Sequence, residues 1–468
     1  MHSKTINRRS FLKASGAITA GFLTMQRATR AIEAQQSLPI SRAYGPLVKD
    51  PMGVLDLPDG FKYQVISRVG RTMSDGLVTP GFHDGMAAFP VSGGRIALIC
   101  NHETNPDQGL ASPFGIGNHL LNKIPKSKLY DYGRGEMPGL GGTTTVIYNP
   151  MKREVEREYL SLAGTHRNCA GGATPWNSWV TCEETVVRAS DKDYLERDHG
   201  FNFEVPVSTR IKLAEPTPLV EMGRFNHEAV TVDHKSGVVY QTEDRGDGLI
   251  YRYIPNQSGK LHKGGRLQAL AIKGWASCDT RNWADLSTQR FEQGKLYEVE
   301  WIDMNHVDSP LDDLRYRGFE AGAARFARGE GIFYGNERVY WACTNGGRIL
   351  KGQIFSYKPS IYEGTAREKE APATLELYLE PNDGNIVDMC DNLDVSPDGG
   401  LLLCEDGKAE QFLVGVSPKG EWFKLAKNSI DDTEFAGVCH SPDGRIVFVN
   451  LQKPGLTLAI TGPFEWLT

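Results

Sequence analysis

Acidic side chains recur beside short apolar runs throughout this 468-residue chain. They are Glu103, Glu183, Glu184, Glu228, Glu243, Asp244, Glu330, Asp391, Glu405, Asp406 and Glu434. If these carboxylates faced one cavity, their mutual repulsion would resist joint ionisation unless multivalent cations were bound. Carboxylate oxygens suit calcium or another hard cation. The pattern therefore predicts a metal site.

One cysteine complicates an all-oxygen site. Cys169 lies between Asn168 and Ala170-Gly171-Gly172, where glycines allow the backbone to approach a bound group closely. A thiolate suits a softer transition metal than calcium. The cysteines that end apolar runs are instead predicted to be buried small hydrophobic residues. These are Cys100, Cys182, Cys343 and Cys404, and no Cys-x-x-Cys zinc spacing occurs in the chain.

Histidine and arginine accompany several of the acidic residues. His102 and His227 each precede a glutamate, so each either orients that neighbour or has a purely structural role. Arg328 lies two residues before Glu330, and it either pairs with the acids or receives an anionic substrate in its planar fork. The sequence contains no nucleophile elbow and no P-loop, which argues against those two catalytic designs.

Six segments share a layout that could bring these side chains together. Each has a polar cluster, a short strand-like run, a turn, a strongly apolar run and a second polar cluster. They begin at residues 83, 168, 226, 328, 391 and 434. The last two turn at Pro-Asp-Gly, where proline presets φ and glycine tolerates positive φ. Because a hairpin returns the chain to its start, radially arranged hairpins would bring all the polar clusters to one mouth of a central channel.

The predicted fold class is all-β, a six-bladed β-propeller with a central metal-binding funnel. The chain has 51 glycines and 25 prolines and few helix-period runs, and radial repetition is the simplest way to build so long a β domain. No linker divides residues 35–468, so we expect a single domain, and we expect the run 61–66 to join the last hairpin. The residues expected around one channel mouth are Glu103, Glu184, Asp244, Asn345, Glu405 and Asn450.

The N-terminus has the features of an export signal. Arg8-Arg9 precede Phe11-Leu12-Lys13 and a weakly apolar run too short to span a bilayer. This predicts a twin-arginine (Tat-type) signal peptide over residues 1–34, recognition by the Tat export machinery, and a periplasmic or extracellular location. No later run is apolar enough for stable membrane insertion. Removing residues 1–34 takes away six basic side chains and one glutamate, so the formal charge of −6 becomes −11, which argues against nucleic-acid binding.

The segment Asn168-Cys169-Ala170-Gly171-Gly172-Ala173-Thr174-Pro175-Trp176, followed by Cys182-Glu183-Glu184, resembles the PhoX family of alkaline phosphatases. Weaker matches follow the family order at residues 101–103, 223–228, 328–330 and 449–455. The sequence differs from the family pattern at two places. Asn177-Ser178 replaces the family's usual Gly-Thr, and Gly329 replaces a proline.

The resemblance implies a six-bladed propeller with an iron–calcium centre (iron as Fe3+, calcium as Ca2+) that hydrolyses small phosphate monoesters. With the hairpin ends Glu183 and Glu405 added, the predicted metal ligands are Glu103, Cys169, Glu183, Glu184, Glu228, Asp244, Glu330 and Glu405. The predicted catalytic residues are Cys169, Glu330 and Arg328. The predicted substrate-binding residues are Arg328, Asn168 and Asn345. A monomer is expected.

Two alternatives stay open on the residues alone. A calcium-dependent propeller hydrolase of another ester class, similar to a lactonase, would share the carboxylates but would need no thiolate ligand. A non-catalytic propeller could bind ions without turning over any ester. Iron content separates the first alternative from the phosphatase, and turnover of a phosphoester separates the second.

Overall fold

The computed structural model describes residues 44–464 of the chain. The predicted signal peptide, residues 1–34, lies outside the described residues. Between Tyr44 and Phe464 one α-helix is present, α1 (Leu314–Glu320), and the other long elements are strands. No helix in this described part is long and apolar enough to cross a membrane.

The strands are numbered here in chain order. They are β1 (Leu47–Val48), β2 (Leu55–Pro58), β3 (Lys62–Arg68), β4 (His83–Val91), β5 (Arg95–His102), β6 (Gly141–Asn149), β7 (Glu154–Thr165), β8 (Asn168–Ala173), β9 (Ser178–Glu183), β10 (Asn202–Pro206), β11 (His227–Val232), β12 (Val239–Glu243), β13 (Ile250–Pro255), β14 (Gly265–Ile272), β15 (Leu296–Asp303), β16 (Gly329–Gly335), β17 (Arg338–Cys343), β18 (Gln353–Lys358), β19 (Thr374–Leu379), β20 (Cys390–Val395), β21 (Leu401–Glu405), β22 (Phe412–Val416), β23 (Trp422–Asn428), β24 (Phe435–His440), β25 (Val447–Leu451) and β26 (Leu456–Thr461).

The six predicted hairpins are present, and their first strands are innermost. These inner strands are β4, β8, β11, β16, β20 and β24, and each contacts the next in cyclic order until β24 contacts β4. Near the end of the chain β26 pairs with β3, which confirms that the run 61–66 joins the last hairpin. Each inner strand is the edge strand of its sheet, and packing against the neighbouring inner strands covers these edges.

The described residues form five hydrogen-bonded sheets, whereas the sequence predicted six separate blades. Strands β4–β7, β8–β10, β20–β23 with β2 and β1, and β24–β26 with β3 form four of them. Strands β11–β19 form one nine-stranded sheet, because the extra strand β15 pairs with both β14 and β19. The predicted all-β, propeller-like architecture is confirmed. The added strand β15 joins two hairpin units into one sheet.

All six inner strands contain the same irregularity. In each hairpin the pairing advances by three residues along the inner strand while it advances by two along the partner strand. The inner strand therefore contains one extra residue. Such a β-bulge redirects the side chains next to it. Small residues at the bulges allow close contact between neighbouring hairpins. A Cβ added to Gly85 would lie 2.5 Å from Ala170 Cα, and one added to Gly331 would lie 2.7 Å from Asn392 Cα.

Candidate functional site

A polar cavity of about 250 Å3 lies where the six inner strands begin. Its lining consists of nine carboxylates, two arginines, one thiol and one amide. These residues are Asp84, Glu103, Arg167, Cys169, Glu184, Glu228, Asp244, Arg328, Glu330, Asp391, Asp406, Glu434 and Gln452. Such an excess of acid over base makes the cavity a strong candidate for cation binding.

Equivalent positions of the six hairpins supply the lining. The first position is the extra residue of each inner-strand bulge, occupied by Asp84, Cys169, Glu228, Glu330, Asp391 and, outside the lining, Gly437. The second position directly follows the second strand, and it is occupied by Glu103, Glu184, Asp244, Asp406, Gln452 and, outside the lining, Thr344. The residue directly before the inner strand adds Arg167, Arg328 and Glu434. The fold thus builds the site by repetition.

In the part of the chain that the structure describes, three groups of ligand atoms lie close enough to share an ion. In each group one atom per residue lies within 4.8 Å of the others, and the groups are Cys169–Glu184–Glu228, Glu228–Glu330–Asp391 and Asp391–Asp406–Glu434. Glu228 and Asp391 each belong to two groups, so the three groups form a continuous chain across the cavity. Only the first group contains sulfur.

The electrostatics of the cavity oppose full ionisation. Burial, and then repulsion by neighbouring carboxylates, raises the pKa values of Asp84, Glu184, Glu228, Glu330, Asp391, Asp406 and Glu434 above their ordinary range. Burial and the nearby Glu228 likewise raise the pKa of the Cys169 thiol. Bound cations would reverse both effects, because they favour the charged form of each ligand. The donor set therefore fits a mixed centre with one thiolate and many carboxylates.

Two arginines balance part of this charge. Arg328 donates from Nε and Nη2 to the two carboxylate oxygens of Asp244 over 2.8 and 3.0 Å, and its Nη2 lies 2.9 Å from Glu330 Oε1. Arg167 donates from Nε and Nη2 to Glu103 Oε1 over 3.0 and 2.6 Å, and from Nη2 to Glu184 Oε2 over 2.5 Å. Both residues have left-handed backbones, with φ of 49° at Arg328 and 45° at Arg167. A non-glycine residue there is uncommon and is often found at functional sites.

The structure places two predicted ligands away from the cavity. Glu183 accepts hydrogen bonds from the backbone N–H groups of residues 166, 200 and 201 and lies 2.7 Å from His199 Nδ1. Glu405 accepts hydrogen bonds from the backbone N–H groups of residues 388 and 412. Each is the last residue of a second strand, as is the candidate Glu243, which binds Tyr251 and the backbone N–H of residue 249. Because successive strand residues point to opposite faces, only the next residue along the chain reaches the cavity.

The predicted asparagines do not line the cavity either. Asn168 Oδ1 accepts from Thr165 Oγ1 over 2.6 Å, and its Nδ2 donates to Thr181 Oγ1 over 2.9 Å. The carbonyl oxygen of Asn345 accepts from the Trp283 indole over 2.6 Å. Asn345 lies one residue beyond Thr344, which is the residue that directly follows the second strand of this hairpin. Asn450 donates to the backbone oxygen of Asp84. Of the six residues expected around the mouth, Glu103, Glu184 and Asp244 line the cavity, whereas Asn345, Glu405 and Asn450 do not.

The two histidines have structural contacts. His102 lies 3.0 Å from the carbonyl oxygen of Gly81 and 2.9 Å from Thr144 Oγ1. His227 lies 3.0 Å from the carbonyl oxygen of Gly223. Both are buried, and burial lowers their pKa values. Their ring hydrogen bonds hold the hairpin ends in place, and none of these bonds goes to a neighbouring glutamate.

Asp84, Arg167 and Gln452 line the cavity but were not among the predicted residues. Gln452 Nε2 donates to Asp84 Oδ2 over 2.9 Å and to Glu103 Oε2 over 2.8 Å. All three could have been found by aligning the six hairpins on one another. Asp84 occupies the same bulge position as Cys169, and Arg167 occupies the same position as Arg328.

Fold and cavity together define a class, the propeller-like β proteins with an acidic cavity among their inner strands. Comparison with known proteins identifies the family. The sequence model of the alkaline phosphatase PhoX family matches residues 42–455, so the chain belongs to that family and is a phosphatase. No curated protein sequence gives a significant match.

A solved structure of that family agrees with the fold. PhoX of Pseudomonas fluorescens, solved in complex with vanadate, a transition state analogue, is 16% identical, with a TM-score of 0.64 over 91% of this chain and 97% of that one. At this identity the likeness shows the fold. The periplasmic gluconolactonase of Pseudomonas aeruginosa is 12% identical, with a TM-score of 0.42 over 87% of this chain and 93% of that one.

Proposed function

We propose that this chain is an exported, metal-dependent phosphatase that releases inorganic phosphate from small phosphate monoesters. The observation that carries the metal dependence is the cavity itself, where nine carboxylates and a thiol face only two arginines. Vanadate in the Pseudomonas fluorescens relative supports phosphoryl chemistry in a protein of the same fold. We count the nine-stranded sheet as two fused units, which gives six blades within one domain over residues 35–468, and we expect the mature protein to be a monomer.

The donor sets support one transition metal and further hard cations. We assign iron to Cys169, Glu184 and Glu228, because only this group combines sulfur with oxygen. We assign calcium to the all-carboxylate groups Glu228–Glu330–Asp391 and Asp391–Asp406–Glu434. Asp84, Glu103 and Asp244 supply further oxygen atoms in the lining. Glu183 and Glu405 are left out of this ligand set, because their oxygens bind backbone N–H groups elsewhere.

Within this assignment the protein's own residues position the phosphoryl group. When bound, the cations supply positive charge beside the phosphoryl oxygens and the leaving group. Arg328 lies among Asp244 and Glu330 in the cavity, where its planar guanidinium can bind two phosphoryl oxygens. Burial around Glu228 and Glu330 excludes bulk water, which strengthens the interactions of the site with charge. Asn168 and Asn345 have no place in this arrangement, since neither lines the cavity.

Removal of metal is expected to abolish turnover. A chelator strong enough to strip both metals should lower hydrolysis of a chromogenic phosphate monoester to background. Calcium alone should not restore activity, whereas iron and calcium together should, because the thiolate group and the carboxylate groups prefer different ions. Elemental analysis and steady-state kinetics on the purified protein measure both. Full activity in chelated protein, or a loaded protein without iron, would contradict the proposal.

Export is expected to depend on the paired arginines. Changing Arg8→Lys and Arg9→Lys together keeps the basic charge but removes the motif that a receptor reads, so the protein should remain in the cytoplasm. Fractionation of host cells followed by immunoblotting measures the distribution. A matched control, Arg27→Lys with Arg30→Lys, changes two arginines of the same segment outside the motif and should leave export unchanged. Normal export of the Arg8/Arg9 variant would refute the Tat assignment.

A further inference from the structure

A second arginine occupies the position that Arg328 occupies, two hairpins away. Arg167 directly precedes β8 as Arg328 directly precedes β16, and both line the acidic cavity. Their backbones share the left-handed conformation, with φ of 45° and 49°. Such a conformation is strained for a non-glycine residue, so it persists where the surrounding structure enforces it. The repeat therefore directs two guanidinium groups into one site.

The two guanidinium groups are held in the same way. In each, Nε and Nη2 donate to the carboxylate that follows the second strand of the preceding hairpin, Glu103 for Arg167 and Asp244 for Arg328. Each also reaches a further glutamate through Nη2, Glu184 and Glu330 respectively. Within residues 44–464 no acceptor binds Nη1 of either arginine, and the side chains retain 36% and 28% exposure. Each arginine is thus fixed at one edge, with two N–H donors on Nη1 unused.

Charge also favours an anionic ligand at these donors. The two arginines are the only cationic side chains in the lining of the cavity described here. Glu103 and Glu184 would share their charge with bound cations, which weakens their attraction for Arg167. A guanidinium then finds its best partner in a phosphoryl group, whose geometry matches the planar fork.

We infer that Arg167 binds the phosphoryl group of the substrate together with Arg328, so that the site has two phosphate-binding arginines. This inference rests on the proposed phosphatase function and adds a residue to it. The competing explanation is that Arg167 serves only as the counter-ion of Glu103 and Glu184. If Arg167 binds phosphate, its loss should weaken phosphate binding. If Arg167 is only a counter-ion, its loss should instead disturb the carboxylates around the metals.

The test compares four variants of the metal-loaded full-length mature protein. Arg167→Gln and Arg328→Gln remove one guanidinium each, and Arg167→Lys keeps the charge but removes the fork. The control is Arg188→Gln. Arg188 belongs to the same blade, its side chain is 39% exposed, and it does not line the cavity. The measurements are KM and kcat for a chromogenic phosphate monoester, the dissociation constant of inorganic phosphate by calorimetry, and metal content.

Arg167→Gln is expected to raise both KM and the phosphate dissociation constant by about tenfold or more, as Arg328→Gln should, with metal content retained. Arg167→Lys is expected to give a rise of at least about threefold, because a single ammonium cannot form the bidentate contact. Arg188→Gln should match the parent protein. If Arg167→Gln will not fold, Arg167→Lys carries the test.

Unchanged phosphate affinity in both Arg167 variants would overturn the inference, whether or not metal content falls. If Arg328→Gln weakens phosphate binding and the Arg167 variants do not, the inference fails and the proposed function stands. If the parent protein hydrolyses no phosphate monoester, the proposed function fails. The calorimetric comparison still decides the role of Arg167, because it needs no turnover.

Discussion

Replacement of Cys169 with serine is expected to remove iron and to lower phosphatase activity by at least about 100-fold. Among residues 44–464, Cys169 supplies the only sulfur atom in the cavity lining, and it shares its ligand group with Glu184 and Glu228. Loss of a residue that merely supports a ligand commonly costs 10–100-fold in metal affinity or activity, so loss of a direct ligand should reach at least the upper end. Calcium bound by carboxylates alone should remain, and elemental analysis with kinetics on the same preparation measures both.

Cys182 provides a matched control for this experiment. It lies on β9, which pairs with the β8 strand of Cys169, and both thiols are buried in the same core cluster. Cys182 does not line the cavity, so Cys182→Ser should cost about 1–2 kcal/mol in the free energy of unfolding and leave metal and activity intact. If Cys169→Ser behaves like Cys182→Ser, Cys169 is a packing residue and the site is built from carboxylates alone.

Two adjacent glutamates are expected to respond to the same substitution in opposite ways. Glu184→Gln should lower activity by at least about 100-fold through loss of metal, because Glu184 belongs to the sulfur-containing group. Its effect on the unfolding free energy of metal-free protein should stay within about 1 kcal/mol, since lost hydrogen bonds are offset by reduced repulsion from Glu103. Metal analysis and chemical denaturation of the stripped protein measure the two effects.

Glu183→Gln should instead destabilise the fold and spare the metal. Its carboxylate accepts hydrogen bonds from three backbone N–H groups, and an amide would turn an N–H2 donor toward some of them. The ring of His199, which stacks on that of His166, would lose this acid partner as well. Leaving these buried donors without an acceptor should cost about 3 kcal/mol or more. If Glu183→Gln loses as much metal as Glu184→Gln, Glu183 takes part in the metal site and this prediction is wrong.

The sequence by itself determined the repeated hairpins, the acidic character of the site and the place of Cys169 among its residues. Pro-Asp-Gly turns between apolar runs are local signals, and the two strands of a hairpin must meet whatever surrounds them. The polar residues at the hairpin ends are likewise a local feature of the sequence, and they include most of the cavity lining. Of the ligands carried over from the family resemblance, Glu103, Cys169, Glu184, Glu228, Asp244 and Glu330 all line the cavity.

Only the tertiary structure decided which member of each polar cluster faces inward. In Glu183-Glu184 and Glu405-Asp406 both residues are acidic, and the alternation of a strand sends one inward and the other toward loop backbone. The inner-strand bulges shift this alternation by one residue, and sequence patterning does not reveal a bulge. The pairing of β15 with β19, and the placing of Arg167 and Arg328 in one cavity, bring together segments far apart in the chain. Such contacts depend on how the hairpins pack around the ring, which local sequence does not encode.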